Sequence, residues 1–110
     1  MTRRHAPSSM LLYCLGVKLI GLIQVRDSAA FSVYREQVAA TVERYNGRVL
    51  ARGRQTTMLW NELDCPPFEF LVELAFPSAD DAQRWADSPE YTALLSVRTQ
   101  AMRLTLFGVE

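Results

Sequence analysis

One histidine, two cysteines and a scatter of carboxylates are all that this chain offers to proton transfer, nucleophilic attack or metal ligation. The histidine, His5, stands in a short polar stretch ahead of the first apolar run. Imidazole general-base chemistry and His-based zinc ligation therefore have little to build on. A serine hydrolase fails for the same reason, because a serine nucleophile needs a base beside it. Cys14 and Cys65 lack metal-ligand spacing, and no neighbour that would lower a thiol pKa is visible, so two reduced structural thiols are expected. No glycine-rich loop opens onto a helix, which removes the phosphate-cradling motifs, and neither a metal nor a cofactor is expected. The polar residues of most interest are Lys18, Gln24, Glu69 and Glu73, which interrupt otherwise apolar strand sequences. Charges covered by a second layer of protein must pair or bind something. A structural ion pair is the first expectation there and a ligand contact the second.

Composition limits the partners. The 110 residues are enough for one domain, and 49% hydrophobic with 22% charged residues is the balance of a globular chain. Twelve basic residues balance twelve acidic ones, so no global field draws the protein to a phosphate backbone or an anionic membrane. Arg48, Arg52 and Arg54 form a basic cluster that a solvated strand face would explain. The longest uninterrupted apolar run, Met10 to Val17, falls far short of the ~20 residues of a membrane helix. Lys18 interrupts the stretch beyond it and no small-residue cleavage site follows, so a signal peptide is not expected. Residues 1–9 read as a disordered extension, with Met10 an alternative start and residues 10–110 a single domain. Reduced thiols then place the protein in the cytoplasm.

The elements that must position these residues follow from periodicity. Val17 to Arg26 alternates as a strand, with Val17, Leu19, Gly21, Ile23 and Val25 on one face and Lys18, Ile20, Leu22 and Gln24 on the other. Asp27 caps an amphipathic helix carrying Phe31, Tyr34, Val38, Val42 and Tyr45, and Asn46-Gly47 ends it. Arg48 to Gln55 is a second strand, with a bulge or bend expected at Gly53 and extended chain resuming over Thr57 to Glu62. Phe68 to Phe76 is the clearest strand: Phe68, Phe70, Val72, Leu74 and Phe76 must face a core, leaving Glu69, Leu71, Glu73 and Ala75 opposite. Ser78 caps a short helix, Ser88-Pro89 restarts it toward Met102, and Arg103 to Val109 is the last strand. Trp85 and Tyr91 are expected in the core.

The order strand, helix, strand, strand, helix, strand is the split βαβ (ferredoxin-like) α+β architecture: a four-stranded antiparallel sheet with its helices on one face. The other face would present Ile20, Leu22, Leu71 and Ala75 to water, an apolar patch that monomers rarely leave open. A second subunit packing sheet to sheet would cover it, and Lys18 would then share the dimer interior with Glu73.

At this point a resemblance enters. The run Tyr45-Asn46-Gly47-Arg48-Val49-Leu50-Ala51-Arg52-Gly53 resembles the entry to the second strand in the domain-of-unknown-function family DUF1330. Phe76-Pro77-Ser78, Trp85 and Ser88-Pro89-Glu90-Tyr91 are similar to its F-P-S…W-Y-x-S-P-E-Y pattern, and Tyr34 and Arg98 fall at expected places. The likeness runs from Val17 to Glu110 and implies a dimeric α+β barrel, in agreement with the apolar-patch argument. Arg54 replaces a second glycine after Arg52-Gly53, Trp60-Asn61 stands near a usual Glu-Gly, Phe68-Glu69 near a usual arginine, and Ala86 where a tyrosine follows the tryptophan. A ligand site built from such positions would be altered in this chain, which adds Arg52, Trp60 and Asn61 to Lys18, Gln24, Glu69 and Glu73 as candidate ligand-binding residues. Two functions are expected in order. The first is a homodimeric binding or structural module whose dimer barrel holds a small, mostly apolar organic molecule, or nothing at all. The second is a cofactor-independent enzyme like the monooxygenases and lactone isomerases that share such barrels, which rests on fold analogy alone.

Overall fold

The computed structural model describes residues 16–110, so His5, Cys14 and the expected extension over residues 1–9 lie outside the described residues. Strands β1 (Val17–Val25), β2 (Arg48–Arg54), β3 (Phe70–Phe76) and β4 (Met102–Val109) form one sheet in the order β2-β3-β1-β4, with every neighbouring pair antiparallel. Helix α1 (Ser28–Arg44) links β1 to β2, while α2 (Ala79–Ala86), α3 (Pro89–Thr92) and α4 (Leu95–Ala101) link β3 to β4. This is the ferredoxin-like α+β arrangement expected from the alternation of periods along the chain.

The helix ends follow local chemistry. The Asp27 carboxylate accepts the Ala30 N–H at 3.0 Å and so satisfies one of the donors that a helix start leaves unpaired. At the other end Asn46 takes the left-handed turn with φ 70°, and Gly47 does not. Gly47 is needed for a different reason: a β-carbon there would lie 2.5 Å from Cε1 of the fully buried Phe76 ring. Ser88 accepts the Tyr91 N–H at 3.0 Å and donates to the Trp85 carbonyl at 2.7 Å, joining the end of α2 to the start of α3.

Three boundaries differ from the sequence expectation. β3 begins at Phe70 rather than Phe68, and residues 55–69 form an irregular loop with no strand over Thr57 to Glu62. The helix restarted by Pro89 is broken after Thr92, because the Leu94 N–H bonds back three residues to the Tyr91 carbonyl, at 2.8 Å, and this tighter turn offsets α4 from α3. The irregularity in β2 lies between Val49 and Ala51, with Leu50 the extra residue, and not at Gly53.

Register sorts the side chains into two layers, since residues directly opposite in an antiparallel pair point to the same face. Val17, Ile23, Leu74, Phe76 and Met102 meet Phe31, Tyr34, Val42, Trp85, Tyr91 and Leu94 from the helices in one core. The opposite face carries Ile20, Leu22 and Leu71 at its centre. Phe107 and Val109 lie beside them on β4, 46% and 47% exposed. No helix among the described residues is long and apolar enough to cross a membrane.

Candidate functional site

A cleft of about 230 Å³ opens between α1 and the β2–β3 side of the sheet. The alternation of β1 and β3 supplies its floor through Ile23, Phe70 and Val72, and the apolar stripe of α1 supplies a wall through Phe31 and Val38. Phe31 and Phe70 stack across it with ring centroids 5.5 Å apart. The Arg35 guanidinium lies 5.3 Å over the Phe31 ring and that of Arg54 5.2 Å over the Phe70 ring. The two stacked rings are therefore each faced by a cation. Arg52, opposite Val72, completes a rim of three exposed arginines.

Behind Tyr34 and Trp85, which line the cleft, lies a bonded polar network. The Trp85 indole N–H donates to Thr41 Oγ1 at 3.0 Å, and that hydroxyl donates to the Val38 carbonyl at 2.7 Å. The Tyr34 and Tyr91 hydroxyls meet at 2.8 Å, and Arg98 donates to the Tyr91 oxygen at 3.0 Å while lying over the Tyr91 ring. Burial first, then the adjoining Tyr91 hydroxyl, hold the Tyr34 phenol well above its ordinary range. Tyr34 is thus a neutral hydroxyl in the wall of an apolar cleft. Outside it, the Tyr45 hydroxyl donates to Glu90 at 2.6 Å and Arg44 pairs with the same carboxylate at 2.7 Å. Those two contacts, the Tyr45 bond foremost, pull Glu90 below the usual carboxylate range. This triad ties α1 to α3.

Of the seven residues singled out from the sequence, only Arg52 lies in the cleft. Lys18, Gln24 and Glu73 belong to the opposite side of the sheet by register, and Glu69 precedes β3. Lys18 stands opposite Ala75 and Glu73 opposite Ile20, so the two are diagonal neighbours, and they form no ion pair with one another. Gln24 donates to the Pro67 carbonyl at 2.8 Å, and Glu69 accepts the Val25 N–H at 2.8 Å; both secure the return of the loop into β3. Asn61 closes that loop on itself, donating to the Cys65 carbonyl at 3.0 Å and accepting its N–H at 2.9 Å. Trp60 is 78% exposed on it. Cys65 is free, and no group of three His, Cys, Asp or Glu residues suited to a metal occurs among the described residues.

The cleft residues that sequence reasoning passed over are Arg35, Arg54 and the Tyr34 hydroxyl. Strict alternation through β2 sets Val49 with Ala51 and Gly53, and Arg52 and Arg54 on the other side. The extra residue at Leu50 reverses that parity and brings Val49, Arg52 and Arg54 to the same face.

The model of the family described as "Domain of unknown function (DUF1330)" matches residues 18–110. No curated protein matches the chain. Among solved structures, a protein of unknown function from Rhodopseudomonas palustris superposes with a TM-score of 0.72 at 16% identity, covering 96% of this chain and 93% of that one. SnoaB, a cofactor-independent oxygenase from Streptomyces nogalater, gives a TM-score of 0.61 at 14% identity over 86% of this chain and 90% of its own. A dimeric protein of unknown function and ferredoxin-like fold from Bacteroides fragilis gives 0.53 at 17% identity, over 86% and 94%. At such identities the likeness establishes the fold and nothing further.

Proposed function

Because this chain belongs to the DUF1330 family, whose description assigns no activity, we propose a function from the cleft itself: a homodimeric binding module for a small, largely apolar organic molecule. The observation that carries this reading is a concave, mostly apolar cavity with a few convergent polar groups, the usual form of a small-molecule site. The ligand's body lies between the Phe31–Phe70 stack and Val72, and Tyr34 offers a hydroxyl to it. Dimerisation is supported by the apolar open face around Ile20, Leu22, Leu71 and Phe107, and by the dimeric state of the Bacteroides fragilis neighbour. Light scattering at micromolar concentration is expected to report about twice the chain mass.

The binding test is a thermal-shift screen of small organic acids, quinones and lactones, followed by NMR of the Trp85 indole N–H. A ligand at a hundred times its dissociation constant stabilises by ~2.7 kcal/mol, which a melting curve resolves. Hits that move the Trp85 signal support the reading, and a screen with no hit removes it. A second reading, an enzyme without a prosthetic group in the manner of SnoaB, is favoured by one feature, the Arg98–Tyr91–Tyr34 chain that reaches the cleft at Tyr34. Turnover of a screened hit that is lost in Tyr34→Phe while binding persists would select it.

A further inference from the structure

Resting on the reading of the cleft as a small-molecule site, we propose that its ligand is an organic anion, an aryl or alkyl carboxylate gripped by Arg35, Arg52 and Arg54. These three guanidiniums border one cavity, and none of them takes part in the ion pairs formed among the described residues, which are Arg44–Glu90 and Arg84–Asp81. Like charges around one opening repel, so the arrangement is disfavoured until an anion enters. Arg35 and Arg54 are nonetheless held in place, because each lies over one ring of the stacked Phe31–Phe70 pair. A guanidinium fixed on an aromatic face presents its N–H fork outward, and that fork matches the two coplanar oxygens of a carboxylate.

The nearby acid does not cancel the set. Glu36 shares a shallow depression with Ser32, Arg35 and Arg52, yet it lies beyond ion-pair distance of both arginines. The same rings that steady the cations form the apolar interior, so one end of a ligand meets charge and the other meets Phe31, Phe70 and Val72. A neutral apolar molecule would fill the interior and leave the rim unsatisfied.

The test uses cinnamate and its neutral counterpart cinnamyl alcohol on the full chain, with calorimetry for affinity and the Trp85 indole signal for location. Cinnamate is expected to bind roughly tenfold tighter than the alcohol, a gap of about 1.4 kcal/mol. Added salt should weaken cinnamate and leave the alcohol unchanged. Arg52→Gln should close most of the gap, whereas Arg84→Gln, on the exposed side of α2, should preserve it. If Arg52→Gln fails to fold, the salt dependence of the parent protein decides. Equal affinities, tighter binding of the alcohol, or a salt-independent cinnamate affinity would overturn the carboxylate proposal while leaving the cleft as a binding site. No movement of the Trp85 signal with either compound would overturn both.

Discussion

The hydroxyls of Tyr34 and Tyr91 carry two protons and share one hydrogen bond, while Arg98, a donor only, already fills an acceptor position on Tyr91. One O–H proton is therefore directed away from the pair, and when Tyr91 donates it is that of Tyr34. Removing either hydroxyl should have unequal effects. Tyr91→Phe leaves both Arg98 and Tyr34 without their partner and should cost about 1–3 kcal/mol in chemical denaturation. Tyr34→Phe removes one bond and leaves Tyr91 bound to Arg98, so it should cost about 0.5–1.5 kcal/mol. The Tyr34 phenol also sets an alkaline limit. Its pKa is raised on folding, by burial above all, so its contribution is complete below the unfolded value of ~10 and is lost as the pH climbs beyond it. Urea melts across that range should fall more steeply for the parent than for Tyr34→Phe. Sequence alone placed Trp85 and Tyr91 in the core, where they are, since apolar periodicity reports burial. It had no access to the hydroxyl chain, whose members come from α1, α3 and α4 and meet only in the folded molecule.

Elements were legible wherever a period persisted. The alternation Phe70, Val72, Leu74, Phe76 and the helical spacing of Phe31, Tyr34, Val38 and Val42 specify β3 and α1 with little help from tertiary contacts. Extended chain over Thr57 to Glu62 was not formed, because that segment joins no ladder and its exposed side chains have no face to bury. Glycine type alone was equally uninformative: Gly47 abuts the Phe76 ring, whereas a β-carbon at Gly53 would meet nothing within 4 Å and its φ is not positive. Gly47→Ala should therefore destabilise by about 1–3 kcal/mol, since the buried ring must shift. Gly53→Ala should be neutral or stabilising by up to about 1 kcal/mol, because it restricts the unfolded chain without strain in the folded one. Thermal melts of the two variants against the parent test both expectations together.

At the scale of the whole molecule, a single sheet serves two surfaces through alternate residues of the same strands. Ile23, Phe70 and Val72 floor the cleft, while Ile20, Leu22 and Leu71 face the other way. Leu22→Glu should consequently convert a dimer to a monomer by light scattering with cinnamate binding retained, and a variant that remains dimeric would place the subunit contact elsewhere. The Leu50 irregularity makes chain length, as much as residue type, a determinant of which surface is charged. Without the extra residue the flanking registers, Val49 with Leu74 and Ala51 with Glu73, already run in step. Deletion of Leu50 should therefore straighten the strand and leave Arg52 and Arg54 in the cleft, with cinnamate affinity preserved. One further residue inserted there, if it were absorbed by slippage rather than by a wider bulge, would carry both arginines to the subunit face in one step. In descent, a single codon gained at this point could exchange an anion-accepting protein for one with a neutral cleft and a positively charged seam.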